Sequence, residues 1–367
     1  MTTSVYLDRL ERVRKAMAEQ GVDVLLLSLG HDLPYLTGYH AMPLERLTML
    51  VVPRDADATL LVPRLEAPRV EEQPGVFTLR IWDETEDPTA LAAELAGQAT
   101  TVAVGDQMWA RFLVELLPQL PEAAFRRAVD VVGPLRMVKD AAEIEALRAA
   151  SAAADRVARQ LQAGEIELVG RTEAEVSADI SARLLAEGHD KVNFAIVAAG
   201  DNAASPHHDA GDRVIAAGEI VLCDFGGTMD GYCSDITRCV FTGDEPPPAE
   251  IVDAYAVLHE AQQAGVAAAT VGSPCEEVDR VGRRIIAAAG YGDYFVHRIG
   301  HGIGMEAHED PYMVEGNTRP LAAGNAFSVE PGIYIPGRWG MRLEDIVVAT
   351  PDGPDALNAS DHDLVVV

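Results

Sequence analysis

The sequence is poor in positive charge. It contains 29 lysines and arginines against 58 aspartates and glutamates, which gives a formal net charge of −29 at pH 7. Nucleic acids and anionic membrane surfaces bind proteins through clustered Lys and Arg. The sequence therefore argues against a nucleic-acid partner and against a membrane partner. Because no long run of one sign occurs, the acidity is typical of a solvated surface.

Long apolar runs and paired cysteines are also missing from the sequence. No uninterrupted apolar stretch approaches ~18 residues, so the sequence predicts no ordinary membrane span. Residues 1–21 lack a basic start followed by an apolar core, and we expect no secretory signal and a cytoplasmic location. Cys223, Cys233, Cys239 and Cys275 form no CxxC pair, which favours reduced thiols over disulfides.

The first third of the chain reads as alternating helix and strand. A charged amphipathic helix from Leu7 to Gln20 comes first, with Gly21 as its stop signal. Short apolar runs bounded by Pro, Gly and Asp follow at 22–28, 47–53, 58–63 and 101–106. This pattern indicates a small α/β domain. A strong helix former follows Gly133-Pro134, so we place the domain boundary near residue 135, with an N-terminal domain at 1–135 and a second at 136–367.

Helical stretches in the second domain are separated by strand-rich segments. The helical stretches lie at about 141–163, 173–187, 249–269 and 274–289. The mixture predicts an α+β architecture rather than a regular βαβ wind.

Two segments of the second domain resemble one another. The triplet Ala-Ala-Gly precedes the strand IVLCDFGG and again precedes the strand AFSVEPG. Asp224 and Glu330 each lie eight positions after the first alanine of their triplet. Each strand then turns through a glycine-rich stretch into a partner strand, which carries Asp235 in one case and Glu344 in the other. We predict duplicated hairpins that face one another and bring four carboxylates to one centre.

Four carboxylates in apolar surroundings require counter-charge, because unpaired burial costs several kcal/mol or more. Arg238 or Arg342 can pair with one carboxylate, but not with all four. A pair of divalent cations balances them better. The alternative arrangement is two buried salt bridges and two exposed acids on edge strands.

Histidines supply the fifth predicted ligand. His297, His301 and His308 lie in FVHRIGHGIGMEAHED, which is rich in glycine where the chain must approach another group closely. Imidazole complements carboxylates on Mn, Co or Zn, and an oxygen-rich cage favours Mn²⁺ over Co²⁺ or Zn²⁺. The predicted metal ligands are Asp224, Asp235, His301, Glu330 and Glu344.

Four strings carry a resemblance to a known family. They resemble the metal-binding blocks of the pita-bread metallopeptidases, which include methionine aminopeptidase, aminopeptidase P, Xaa-Pro dipeptidase (prolidase) and creatinase. The strings are DFGGTMDGYCSDITR, GHGIGMEAHEDPY, FSVEPGIYIPG and MRLEDIVV. The chain length and DLPYLTGY are most similar to the short bacterial Xaa-Pro dipeptidases. The resemblance implies a creatinase-type α/β domain followed by a pita-bread domain with duplicated antiparallel hairpins and flanking helices.

The resemblance also implies roles for the metal ligands. Asp224 would chelate one divalent metal, Asp235 and Glu344 would bridge both, and His301 and Glu330 would hold the second. A hydroxide between the two ions would be the nucleophile. The family pattern makes Glu330 the acid/base as well.

Further residues receive roles from the same resemblance. His308 would steady the tetrahedral intermediate, and His207 and His297 would contact the substrate. Arg342 would orient ligands or substrate from the second layer. His208 matches the second histidine of the family's PHH string.

The activity implied is hydrolysis of Xaa-Pro bonds in dipeptides or short peptides. An Xaa-Pro bond is a tertiary amide without an N–H, which general peptidases handle badly. An aminopeptidase P, an Xaa-Pro carboxypeptidase, a non-peptide amide hydrolase and a metal-free binding module are the alternatives. The family also implies a homodimer in which the N-terminal domain leans over the partner's site.

Overall fold

The chain divides into two units between Arg136 and Met137. The first unit consists of alternating helices and strands. The computed structural model describes residues 3–367. The helices of this unit are α1 (Thr3–Gln20), α2 (Asp32–Thr37), α3 (Pro88–Ala96), α4 (Ala110–Leu116) and α5 (Val129–Met137). The strands are β1 (Val24–Leu27), β2 (Met49–Pro53), β3 (Thr59–Pro63), β4 (Thr78–Trp82), β5 (Thr101–Val104) and β6 (Ala124–Arg127).

The six strands form one mixed sheet in the order β4-β3-β2-β1-β5-β6. The four predicted apolar runs became β1, β2, β3 and β5, which pack in the buried middle of the sheet. The sequence did not predict β4 and β6, which are the two edges. Both carry exposed or half-exposed residues, among them Arg80 in β4 and Arg126 in β6, so they lack the apolar pattern that marks a buried strand.

The second unit contains four long helices and the remaining strands among residues 137–367. The helices are α6 (Ala141–Gln162), α7 (Glu173–Ala186), α8 (Ala249–Ala268) and α9 (Cys275–Ala288), within one residue of the predicted stretches at each end. Asp140 and Thr172 begin α6 and α7 with capping boxes, in which the side chain and a glutamate three residues later satisfy the free N–H groups reciprocally. No helix within residues 3–367 is long and apolar enough to span a bilayer.

Three sheets lie in this unit, and their strands are β7 (Lys191–Ala199), β8 (Ile220–Met229), β9 (Tyr232–Cys233), β10 (Ile236–Phe241), β11 (Gly300–Gly302), β12 (Glu309–Met313), β13 (Ala326–Val329), β14 (Gly332–Ile335), β15 (Trp339–Arg342), β16 (Asp345–Thr350), β17 (Gly353–Ala356) and β18 (Val365–Val366). One sheet has the order β18-β10-β8-β7 with β9 beside β8, and a second has the order β12-β11-β13-β16-β17. β14 and β15 form a two-stranded sheet. The predicted α+β architecture is confirmed.

The predicted hairpins are β8–β10 and β13–β16, and both pairs are antiparallel. An isolated bridge between Thr237 and Glu344 joins the two hairpins across the sheets. Side chains of β8 alternate between two cores, as expected for a strand. Val221 and Cys223 pack against α6 and α7, whereas Leu222 packs with α8 and α9 on the opposite face. Asp224 therefore lies on the face of Leu222, toward the second hairpin.

Candidate metal centre

The two hairpins bring four carboxylates to one point. Asp224 lies within β8 and Asp235 directly precedes β10, while Glu330 directly follows β13 and Glu344 directly precedes β16. Carboxylate oxygens of Asp224, Asp235 and Glu344 lie within 4.8 Å of one another. Glu330 and Glu344 form a second such group with His301.

His301 reaches the carboxylates from β11. Its Nε2 lies 3.3 Å from Glu330 Oε1 and 3.7 Å from Asp235 Oδ2. Ser328 orients both His301 and Glu330. Its hydroxyl accepts the backbone N–H of His301 at 3.0 Å and donates to Glu330 Oε1 at 3.1 Å. β11 approaches β13 so closely that a Cβ at Gly300 would come within 1.9 Å of the Ser328 carbonyl oxygen.

Arg342 is the arginine at the centre of this cluster. Its Nη2 lies 2.5 Å from Asp224 Oδ2, and its Nε lies 3.9 Å from carboxylate oxygens of Glu330 and of Glu344. Asp235 has no lysine or arginine partner within residues 3–367. Arg238, the other predicted counter-ion, pairs with Asp345 at 2.8 Å instead.

The alternative of two salt bridges and two exposed acids therefore does not describe this cluster. Asp224, Asp235 and Glu344 are 7%, 3% and 2% exposed, and Arg342 is the only arginine or lysine within residues 3–367 that forms ion pairs with the group. The carboxylates carry more negative charge than the neighbouring side chains balance.

This excess of negative charge is reflected in raised pKa values for three of the four acids. Burial, reinforced by Glu344, raises the pKa of Asp235 well above its ordinary value. Burial and the charge of Glu330 do the same to the pKa of Glu344. Burial also raises the pKa of Glu330, to about 7, against the opposing charge of Arg342. Asp224 Oδ1 is buried without a hydrogen-bond partner in the described chain. Oxygen-rich donors with unbalanced charge and a free lone pair fit divalent cations.

A second layer of hydroxyls fixes these groups. The Thr237 hydroxyl donates to Glu344 Oε2 at 2.6 Å and accepts from Arg342 Nε at 3.0 Å. The Tyr334 hydroxyl oxygen accepts from Arg342 Nη1 at 2.8 Å and lies 2.8 Å from His297 Nε2. None of Thr237, Tyr334 and Ser328 was predicted from the sequence as a site residue. Their position within or beside the ligand-bearing strands was the one available signal.

The hydrogen bonds assign the tautomer of His297. The carbonyl oxygen of Arg298 lies 2.7 Å from Nδ1 and can only accept, so the imidazole proton is on Nδ1. In the neutral ring Nε2 is then the acceptor, and the Tyr334 hydroxyl donates to it. Burial and the charge of Arg342 lower the pKa of His297 to about 3, so the ring is neutral. Both ring nitrogens are bonded within the protein.

All nine predicted site residues line one cavity of about 610 Å³. The nine are Asp224, Asp235, His301, Glu330, Glu344, His207, His297, His308 and Arg342. The rest of the lining consists of Phe194, Ile196, Pro206, Arg298 and Val314. The cavity therefore joins a highly acidic floor to a partly apolar wall.

The histidines of the cavity differ in how they are held. The rings of His301 and His308 lie 3.8 Å apart between centroids. His207 is exposed and makes no side-chain hydrogen bond with any described residue. His208 does not line the cavity, since its Nε2 bonds to Glu173 at 2.8 Å.

Arg298 is a cavity residue that the sequence analysis missed. Its guanidinium carbon lies 4.2 Å from the ring centroid of Tyr312, in a cation–π contact. No carboxylate in residues 3–367 forms an ion pair with it. The signal was an arginine between His297 and His301 in the string HRIGH. A guanidinium without a carboxylate partner in a cavity is available for an anionic group of a ligand.

Two family models match the chain. One, described as Metallopeptidase family M24, matches residues 145–351, and another, described as Creatinase/Prolidase N-terminal domain, matches residues 9–138. The chain belongs to metallopeptidase family M24. It is therefore a peptide hydrolase of a metal-dependent family, and the predicted family and fold are confirmed.

Named relatives of this M24 peptidase match along its whole length. It is 44% identical to the probable dipeptidase PepE of Mycobacterium bovis, over 99% of this chain and 97% of the relative. It is 37% identical to the Xaa-Pro dipeptidase of Lactobacillus helveticus over 98% of each chain. The crystal structure of prolidase from Thermococcus sibiricus has a TM-score of 0.93 and 34% identity, with 99% of each chain covered.

Proposed function

We propose that this M24 peptidase hydrolyses Xaa-Pro dipeptides with two divalent metal ions, Mn²⁺ being the ion that best suits its donors. The observation that carries the proposal is the cluster of four carboxylates and one histidine, in which Arg342 is the only arginine or lysine of the described residues that forms ion pairs with the acids. Asp224, Asp235, His301, Glu330 and Glu344 are the proposed ligands. When bound, the cations supply Lewis acidity and lower the pKa of water at the site.

Protein groups around the cluster handle protons and developing charge. In this proposal Glu330 takes the proton of the attacking water and delivers it to the prolyl nitrogen. His308, beside His301 on the open side, donates a hydrogen bond to the tetrahedral oxygen. His207 contacts the substrate at the mouth of the cavity. Arg342 holds Asp224 in place and excludes other rotamers of that ligand.

His297 contacts the substrate through the face of its ring in this mechanism. Both of its ring nitrogens are engaged, by the Tyr334 hydroxyl and by the carbonyl of Arg298. His297 therefore contributes an apolar ring surface to the substrate and fixes the loop that carries Arg298.

The cavity wall is suited to a prolyl residue with a free carboxylate. Phe194, Ile196 and Val314 offer apolar surface for the pyrrolidine ring. Arg298 offers a guanidinium that can bind a carboxylate with two parallel hydrogen bonds. This combination favours substrates that end in proline.

The unpaired guanidinium of Arg298 also favours a second candidate, an Xaa-Pro carboxypeptidase that releases proline from longer peptides. Both activities use the free carboxylate of a terminal proline. They differ in the space that the cavity must provide for residues before Xaa, which only the carboxypeptidase needs. An aminopeptidase P would require room beyond the proline, where in this proposal Arg298 binds the terminal carboxylate.

The test compares three peptides with matched side chains in the presence of Mn²⁺: Xaa-Pro, Xaa-Pro-Yaa and Yaa-Xaa-Pro. We expect the dipeptide to give the highest kcat/KM, and dialysis against a chelator to abolish its cleavage. Faster cleavage of Yaa-Xaa-Pro would establish the carboxypeptidase instead. Faster cleavage of Xaa-Pro-Yaa would reject both functions that depend on the terminal carboxylate.

The domain division near residue 135 and a homodimer complete the proposal, the latter from the family resemblance. Sedimentation of the metal-loaded protein tests the dimer, and a monomer at assay concentration would contradict it.

A further inference from the structure

The buried carboxylate of Glu173 forms hydrogen bonds with several residues of the segment that carries His207. Glu173, in the first turn of α7, is 0% exposed. It accepts the backbone N–H of Ala199 at 2.8 Å, the amide of Asn202 at 3.0 and 3.1 Å, and Nε2 of His208 at 2.8 Å. It also accepts the backbone N–H of Gly211 at a long 3.5 Å. These donors come from the end of β7 and from the loop that follows it. A carboxylate buried this fully requires several donors, and here they hold residues 199–208 against α7.

The loop at residues 200–211, here called the His207 loop, is held unevenly. Its first half is packed, because a Cβ at Gly340 would come within 1.9 Å of the Ala203 carbonyl oxygen. In its second half, residues 206–210 make no backbone–backbone hydrogen bond with the described chain. The Pro206 carbonyl accepts from Arg342 Nη1 at a long 3.3 Å, and His208 bonds to Glu173.

His207 has no hydrogen bond of its own within residues 3–367, although it lines the cavity. Its imidazole is therefore free for a substrate group, but its position depends on the backbone beside it. The two nearest restraints are at Pro206 and at His208, one residue on either side. Of these, the His208–Glu173 contact is the shorter.

We propose that Glu173 and His208 anchor the His207 loop, and that His208 affects the reaction only by placing His207. His208 is thus a positioning residue, whereas His207 touches the substrate. This inference rests on the proposed function for its kinetic test, but not for its structural one.

A double-mutant cycle on the full, Mn²⁺-loaded protein tests the kinetic part. We expect His208→Ala to lower kcat/KM for an Xaa-Pro dipeptide about tenfold in the wild-type background, and less than about twofold in a His207→Ala background. His208→Gln, whose amide can donate near the Nε2 position, should recover most of the activity. If the two losses multiply instead, His208 acts on the substrate directly and the proposal is overturned.

Hydrogen exchange tests the anchor without any substrate. Two backbone amides of the loop, those of Ser205 and Gly211, are hydrogen-bonded, to the Asn202 carbonyl at 3.0 Å and to Glu173 Oε2 at 3.5 Å. They should exchange faster in His208→Ala, with unchanged protection of α8 and α9 and unchanged metal content. Glu173→Gln replaces one oxygen by an N–H₂ group at nearly constant volume, and it should produce the same local change. Asp209→Ala is the matched control, because Asp209 lies exposed in the same loop and its side chain makes no hydrogen bond with described residues.

Failure of the anchor is distinguishable from failure of the proposed function. If wild-type protein cleaves no Xaa-Pro dipeptide, the function fails while the exchange experiment still decides the anchor. If exchange in the loop is the same in wild type, His208→Ala and Glu173→Gln, the anchor is rejected whatever the protein hydrolyses.

Discussion

Arg342 shows how much of the site depends on single residues. It donates to Asp224, to the Thr237 hydroxyl and to the Tyr334 hydroxyl, so one guanidinium orients a ligand, a second-layer hydroxyl and the partner of His297. Arginine suits this position because its planar fork carries five donors and stays charged when buried. A lysine could not make three divergent contacts at these distances.

Arg298 carries the first prediction at this scale. Arg298→Ala should raise KM for an Xaa-Pro dipeptide by about 10- to 100-fold with little change in kcat, because a hydrogen bond to a charged group contributes about 1.5–3 kcal/mol. Against the corresponding Xaa-Pro amide, which lacks the carboxylate, wild type and variant should differ by less than about twofold. Steady-state kinetics on both substrates measure this.

Two further variants sharpen the Arg298 test. Arg298→Lys keeps the charge but loses the bidentate geometry, so its KM should lie between those of wild type and Arg298→Ala. Arg284→Ala is the control, since Arg284 is an exposed arginine of α9 paired with Glu277. An equal loss on the dipeptide and on the amide would show that Arg298 is structural.

At the scale of elements, the sequence predicted the long helices and the central strands, and it missed two edge strands and one buried hairpin. The long helices and the central strands of the first unit have continuous or periodic apolar patterns, and these were found. The edge strands β4 and β6 lack that pattern because one side faces solvent. The two-stranded sheet β14–β15 was read as a turn, since its glycines at 332, 337 and 340 mark a break rather than a hairpin.

The ligands were predictable for a different reason. Acids in apolar strands stand out within a few residues of sequence, and the hairpin repeat placed them in pairs. Glu173 and Tyr334 were not predictable, because their partners His208 and Arg342 become neighbours only through the fold. Glu173 looked like an ordinary acid in the first turn of a helix, where carboxylates are common.

The close approach of β11 and β13 carries a prediction at this scale. Gly300→Ala would place a Cβ 1.9 Å from the Ser328 carbonyl oxygen, so the two strands must separate beside His301. We expect a loss of about 1–3 kcal/mol in the free energy of unfolding and a weaker affinity for Mn²⁺. Urea unfolding and metal titration measure the two effects.

Gly211→Ala is the matched control for that substitution. The nearest atom to a Cβ at Gly211 is the Asp209 carbonyl oxygen at 4.0 Å, so space is available. This variant should retain wild-type stability and metal affinity. Unchanged Mn²⁺ affinity in Gly300→Ala would mean that the strand spacing does not position His301.

For the whole molecule, the relevant quantity is the coupling between metal, protons and stability. The surface acidity that produces a net charge of −29 is solvated, but the acids of the metal centre are buried. Without metal, the folded protein must therefore either keep these carboxylates ionised without enough positive charge or protonate some of them. Binding of cations to the folded state alone stabilises it by mass action.

The raised pKa values give this coupling a direction. Burial raises the pKa of Glu330 to about 7, and the pKa values of Asp235 and Glu344 are raised as well. The folded, metal-free protein thus binds protons more tightly than the unfolded chain does. The stability that these acids contribute is fully present below the unfolded pKa near 4.5 and is lost as pH rises toward 7, by about 3 kcal/mol for Glu330 alone.

We therefore expect the difference in Tm between Mn²⁺-loaded and chelator-treated protein to be several degrees larger at pH 7.5 than at pH 5.5. Calorimetry at both pH values measures it. Asp235→Asn removes one buried acid and a ligand, so this variant should gain little stability from Mn²⁺ at either pH. Asp293→Asn changes an exposed acid and should behave as wild type. A Tm difference that is the same at both pH values would show that the four carboxylates stay ionised without metal, and the charge argument for the metal centre would fail with it.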